Sequence, residues 1–178
     1  LLCGKPEEIA DFKRTFRGAE ILSTDFAQSG QDGAELAQVG FEYAKRVAEL
    51  GGDAVVLAEG LFEACGTDGA KKLLRCAINA ETGASLTVFA TLPETCENYD
   101  GIVATASSVI KLSGELASKR VFPAIDAKSS YSGREEQLLT EKELKLTADM
   151  RREYSSEEII KIIQSNEAGR ISEKNKNG

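Results

Sequence analysis

Residues 53–59 read Asp-Ala-Val-Val-Leu-Ala-Glu, five apolar residues in unbroken succession between a Gly-Gly pair and a carboxylate. A strand that alternates polar and apolar residues can rest one face on water. A strand apolar on both faces is expected in a parallel sheet covered on both sides. A second run of the same kind, Ser85–Thr91 (SLTVFAT), follows. Helical periodicity surrounds the two. Asp32 to Leu50 places Leu36, Val39, Tyr43 and Val47 three to four residues apart and stops at Gly51-Gly52, the usual end of an amphipathic helix. Pro6 to Phe16 opens with proline, carries Glu7 and Glu8 near its positive end, and sets Ile9, Phe12 and Phe16 on one side, which predicts another helix. A third helix is expected over Gly69 to Asn79. Strands alternating with helices define an α/β layer fold with a mainly parallel sheet.

The remaining elements are shorter. Ala19 to Ser23 reads as a strand, and Val109–Leu112 and Val121–Ile125 as two more, joined by a turn over Gly114–Lys119. Glu141–Leu146 and Ser156–Ile163 read as helices, the second with Ser155 or Ser156 as its N-cap. Residues 166–178 are polar and free of aromatics, so a disordered tail is expected there, with residues 1–165 forming one folded core. The chain begins on Leu1-Leu2 rather than Met, and is expected to be a fragment whose upstream part is missing. No apolar run reaches the ~20 residues that span a bilayer, and the N-terminus lacks the pattern of a signal peptide.

Charge and residue usage narrow the chemistry. With 22 basic and 29 acidic residues the net charge is −7, so any contact with RNA must be local rather than spread over the surface. The chain has no histidine, which removes Ser-His and Cys-His nucleophile pairs and His-ligated metal sites. Cys3, Cys65, Cys76 and Cys96 form no CxxC and read as free, mostly buried thiols of a reducing cytoplasm.

Four segments carry the candidate chemistry: LLCGKPEEI at the start, AVVLAEG ending on Glu59, LASKRVFPAID over residues 116–126, and SGREE with Arg134. Together they resemble the C-terminal half of the bacterial transcription termination factor Rho, a ring-shaped RNA-dependent ATPase. The resemblance implies a RecA-like P-loop NTPase core, here missing the phosphate-loop strand. It implies ATP and Mg²⁺ as cofactors, a homo-oligomeric ring, RNA and RNA polymerase as partners, and a cytoplasmic location without membrane contact. It places Glu59 where a carboxylate assists Mg²⁺, Phe122 against the adenine, Arg120 as a buttress of that site, and Arg134 as an arginine finger offered to a neighbouring subunit.

The same comparison marks departures. Gly4 stands where the family has the glutamate that polarises the attacking water, and Gly60-Leu61-Phe62-Glu63 replaces Ser-Ile-Thr-Arg. Residues 63–74 are too short for the first RNA-channel loop, Val103–Ser107 replaces the lysine-bearing second, and Gly114 stands where an arginine is usual. No phosphate loop GxxxxGK[ST] occurs in the sequence; Gly30/Gly33 and Gly51-Gly52 read as turns. The reading is therefore a Rho-type ATPase segment in catalytically degenerate form. Its alternatives are an active ATPase whose phosphate loop lies upstream, and a non-enzymatic binding or assembly module on the same scaffold.

Overall fold

A computed structural model describes residues 2–25, 31–79 and 83–176. The chain divides into two units, Leu1–Ile102 and Val103–Gly178.

The first unit opens with β1 (Leu2–Gly4), α1 (Pro6–Thr15) and β2 (Ser23–Asp25), a small βαβ turn in which β1 and β2 run parallel with Leu2 opposite Ser23 and Gly4 opposite Asp25. The chain then enters α2 (Gln31–Glu49), β3 (Ala54–Ala58), α3 (Leu61–Leu74), β4 (Ile78–Asn79) and β5 (Ser85–Ala90); α4 (Tyr99–Val103) follows. The three-stranded sheet has the order β3-β5-β4, with β3 and β5 parallel and β4 antiparallel to β5. Asp53, just before β3, fixes this register: its carboxylate accepts from the Ser85 N–H at 2.9 Å and the Ser85 hydroxyl at 2.8 Å.

Phe41 and Ala37 of α2, Ala58 at the end of β3, and Leu61, Phe62 and Ala70 of α3 form the core, with Ile102 of α4. Two expectations change here. The buried stripe of α2 is Gly33, Ala37, Phe41, Ala44 and Ala48, whereas Val39 and Tyr43 are 62% and 56% exposed. Small side chains let the helix lie close to its neighbours; a Cβ on Gly33 would sit 3.2 Å from that of Ala64. The strand AVVLA also buries only one face. Val56 and Ala58 turn into the core, while Val55 and Leu57, opposite Thr87 and Phe89, are exposed. The helix expected over residues 69–79 starts earlier, at Leu61, and gives way to β4; Gly66 (φ 64°) breaks it into two helical pieces.

The second unit contains β6 (Ser108–Val109), α5 (Gly114–Ser118), β7 (Tyr131–Ser132), α6 (Glu135–Leu138), α7 (Glu141–Glu153) and α8 (Ser156–Lys176). β6 and β7 pair antiparallel. The turn expected over Gly114–Lys119 is a short helix capped by Ser113, whose hydroxyl accepts from the Leu116 N–H. The strand expected over Val121–Ile125 reduces to a single bridge, Leu112 to Ile125, since Pro123 has no N–H to extend a ladder. Thr140 and Glu143 close a capping box on α7. Ser155, rather than Ser156, caps α8, accepting from the Glu158 N–H while Glu158 accepts from its own N–H. α8 runs past Ile163 through the polar segment to Lys176. Glu167, Ala168, Arg170 and Glu173 all suit a helix, and no proline interrupts it.

Candidate functional site

In the first unit, the two strands of each parallel pair end in register, Gly4 with Asp25 and Ala58 with Ala90. β1 ends at Gly4 and β2 at Asp25, and one residue past β3 stands Glu59, followed by Gly60 in the left-handed conformation (φ 68°) as α3 begins. The Thr91 N–H donates to the Ala58 carbonyl at 3.0 Å, so the β3 and β5 ends stay in step up to Glu59. The Glu59 side chain is exposed. An open carboxylate at the C-terminal edge of a parallel pair has the chemistry of a Mg²⁺-assisting group.

In the second unit, the segment from Ser113 to Ser130 carries Arg120 and Phe122. α5 ends in a Schellman arrangement: the Val121 N–H reaches the Leu116 carbonyl and the Arg120 N–H the Ala117 carbonyl, each at 3.0 Å. This puts Arg120 at the left-handed position (φ 59°) that glycine usually fills. The Arg120 side chain is exposed and has no partner among the described residues. Phe122, two residues on, leaves 54% of its surface open. Its carbonyl accepts from the Gln164 side-chain amide of α8.

Asp126 closes the segment. Its carboxylate accepts from the Ser129 hydroxyl at 2.6 Å, the Ser156 hydroxyl of α8 at 2.6 Å and the Lys128 N–H at 3.1 Å. These donors, Ser129 foremost, hold its pKa down at about 2. The Lys111 carbonyl accepts from the Asp126 N–H at 2.8 Å, and Ser130 donates to the Asp126 carbonyl at 2.7 Å. The sequence offers Asp126 only as the end of a strand. An aspartate followed by Lys-Ser-Ser is a turn signal, but nothing local points to Ser156, thirty residues away.

Arg134 sits at the N-cap of α6 with an exposed side chain that pairs with no described residue. Its neighbour Glu135 instead takes Arg151 of α7 in a two-pronged pair at 2.9 and 3.1 Å. Arg151 holds the Glu135 carboxyl below the usual carboxylate range. This pair lines a mostly apolar cavity of about 320 Å³, with Val109, Ile110, Tyr131 and Leu138. The sequence reading singled out neither the pair nor the cavity. Glu59 thus belongs to the first unit, and Arg120, Phe122 and Arg134 to the second.

For an adenine nucleotide, the second unit supplies an open aromatic face and a free guanidinium within three residues of one another. That suits a purine base, which stacks on aromatic rings and on arginine. Phosphates would require other donors.

The fold is that of a RecA-like α/β core. An ATPase from the type III secretion system of pathogenic bacteria shares the fold, with a TM-score of 0.69 and 19% identity over 85% of this chain and 53% of that one. No protein-family model matches the chain. Over most of its length the chain is related to part of the transcription termination factor Rho. It is 34% identical to the Rho of Micrococcus luteus over 85% of its residues and 26% of the relative's length. Against the Rho of Streptomyces lividans it is 34% identical over 83% and 25%, and against that of Mycobacterium tuberculosis 31% over 90% and 32%. The chain spans about a quarter to a third of these relatives. The resemblance drawn from the sequence therefore stands. Among the described residues, no helix is long and apolar enough to cross a membrane.

Proposed function

We propose that the chain is a segment of a Rho-type ATPase domain that keeps the base-contacting part of a nucleotide site and has lost hydrolysis, so that it acts in assembly rather than as a motor. Phe122 would stack on the adenine and Arg120 would flank it. Arg134 would face a neighbouring copy in a homo-oligomeric ring, and Glu59 would assist Mg²⁺ from the first unit. The chain's own residues would orient the base and keep it from water. The relatives are named as transcription termination factors; in that setting, and on the resemblance drawn from the sequence, RNA and RNA polymerase would be partners of a cytoplasmic assembly.

The observation that carries this reading is the Phe122 ring, a large apolar side chain left more than half exposed on a segment pinned at both ends by hydrogen bonds. A residue that served only the core would be enclosed. Titration of the chain with a ribose-labelled fluorescent ATP tests it. Phe122→Ala should weaken binding by ~1–3 kcal/mol, the range of a lost base stack, with only a modest change in unfolding free energy. A loss of ~3–5 kcal/mol in stability, with or without nucleotide, would mean a core residue instead.

A further inference from the structure

Helix α8 touches the base-contacting segment at three places. Ser156 donates to the Asp126 carboxylate at 2.6 Å. Glu157 takes the Lys119 ammonium at 3.4 Å, one residue before Arg120. Gln164 donates to the Phe122 carbonyl. Ser156 and Gln164 are eight residues apart, roughly 12 Å along a helix axis. Phe122 and Asp126 are four residues apart, a span of up to roughly 13 Å when extended. The segment is thus laid along the helix and held at each end.

None of these contacts is needed to form α8. The cap is supplied by Ser155 with Glu158, which leaves the Ser156 hydroxyl for Asp126. Gln164 is exposed, so its amide has water as an alternative partner. Both are spent on a neighbouring segment whose own secondary structure amounts to one bridge. Without α8, the segment would be held by α5 behind it, by the Asp126 turn ahead and by its pairing with residues 111–113, where the Ser113 N–H donates to the Ala124 carbonyl at 2.7 Å, but nothing would hold the Phe122 carbonyl itself.

We propose that Ser156 and Gln164 are positioning residues for the 122–126 segment, so that α8 sets the aim of the Phe122 ring. This rests on the reading of Phe122 as the base contact, and the test separates the two. Gln164→Glu keeps the shape and removes the donor; Ser156→Ala removes the hydroxyl, and Ser156→Thr restores it. Amide hydrogen exchange over residues 121–126 is measured on the full chain without ligand, beside fluorescent-ATP titration and thermal unfolding.

Exchange in that window should quicken several-fold in Gln164→Glu and Ser156→Ala and return in Ser156→Thr, and ATP affinity should fall about 3–10-fold, as for the loss of one hydrogen bond. The melting temperature should stay within a few degrees, since neither residue is fully buried. Unchanged exchange in both variants overturns the proposal. So does faster exchange with unaltered ATP affinity in a chain that binds ATP. If the unaltered chain binds no ATP while exchange still responds, the base-contact reading falls and the positioning by α8 stands.

Discussion

Arg120 holds a backbone conformation that costs a side-chain-bearing residue about 1 kcal/mol relative to glycine. The Schellman turn at the end of α5 would form as well or better with glycine there, so the arginine is not explained by the turn. Arg120→Gly should leave stability unchanged or raise it by up to ~1 kcal/mol, the relief being partly offset by the freer unfolded chain. The same change should weaken ATP binding. A stability loss above ~1 kcal/mol in urea unfolding would show instead that the guanidinium packs against the fold. Asp126 yields a pH prediction. Its folded pKa of about 2 lies below the ordinary 3.8. Its contribution to stability is therefore fully present above pH ~4 and is lost as pH falls through about 2. Over that window Asp126→Asn should show a shallower loss of stability than the unaltered chain, by the order of 1 kcal/mol once solvent screening is allowed for. Identical slopes would place the acid sensitivity in other carboxylates.

At the scale of elements, α2 shows what hydrophobic spacing does and does not reveal. The helix itself was legible, because Gly51-Gly52 ends it and apolar residues recur at helical intervals. Which stripe is buried was not, because bulk drew attention to Leu36, Val39, Tyr43 and Val47, whereas close packing selected Gly33, Ala37, Ala44 and Ala48 around Phe41. An alanine stripe signals proximity between elements, not hydrophobic mass. Ala37→Leu should therefore cost ~1–3 kcal/mol by overpacking, whereas Val39→Ser should stay within ~0.5 kcal/mol, as expected of an exposed site. Denaturant unfolding of the two variants decides it, and the reverse order would restore the bulky stripe as the core face. Val121–Ile125 failed as a strand for a related reason. Its composition favours a strand, but Pro123 and the turn at Arg120 remove the partners a ladder needs.

For the molecule as a whole, the alternation of strands and helices carried the α/β layer fold, and the motif around Arg120 and Phe122 carried the relationship to Rho. What stayed hidden were contacts between residues far apart in sequence, such as Asp126 with Ser156 and Glu135 with Arg151. Local pattern holds no record of these. The chain spans only about a quarter of the Rho proteins of Micrococcus luteus and Streptomyces lividans. Within these 178 residues no GxxxxGK[ST] occurs, and Gly4, which closes β1, stands where the resemblance to Rho would place a water-orienting carboxylate. A glycine has no group to accept a proton. Loss of either part typically costs orders of magnitude in phosphoryl transfer. The chain on its own should therefore release no phosphate from ATP above a protein-free control, with or without RNA. Its net charge of −7 should also keep RNA binding weaker than micromolar at ~0.1 M salt, since backbone contacts with cations dominate such affinity. RNA-stimulated phosphate release, or sub-micromolar RNA binding with a steep salt slope, would show that this chain holds working ATPase and RNA-contacting groups.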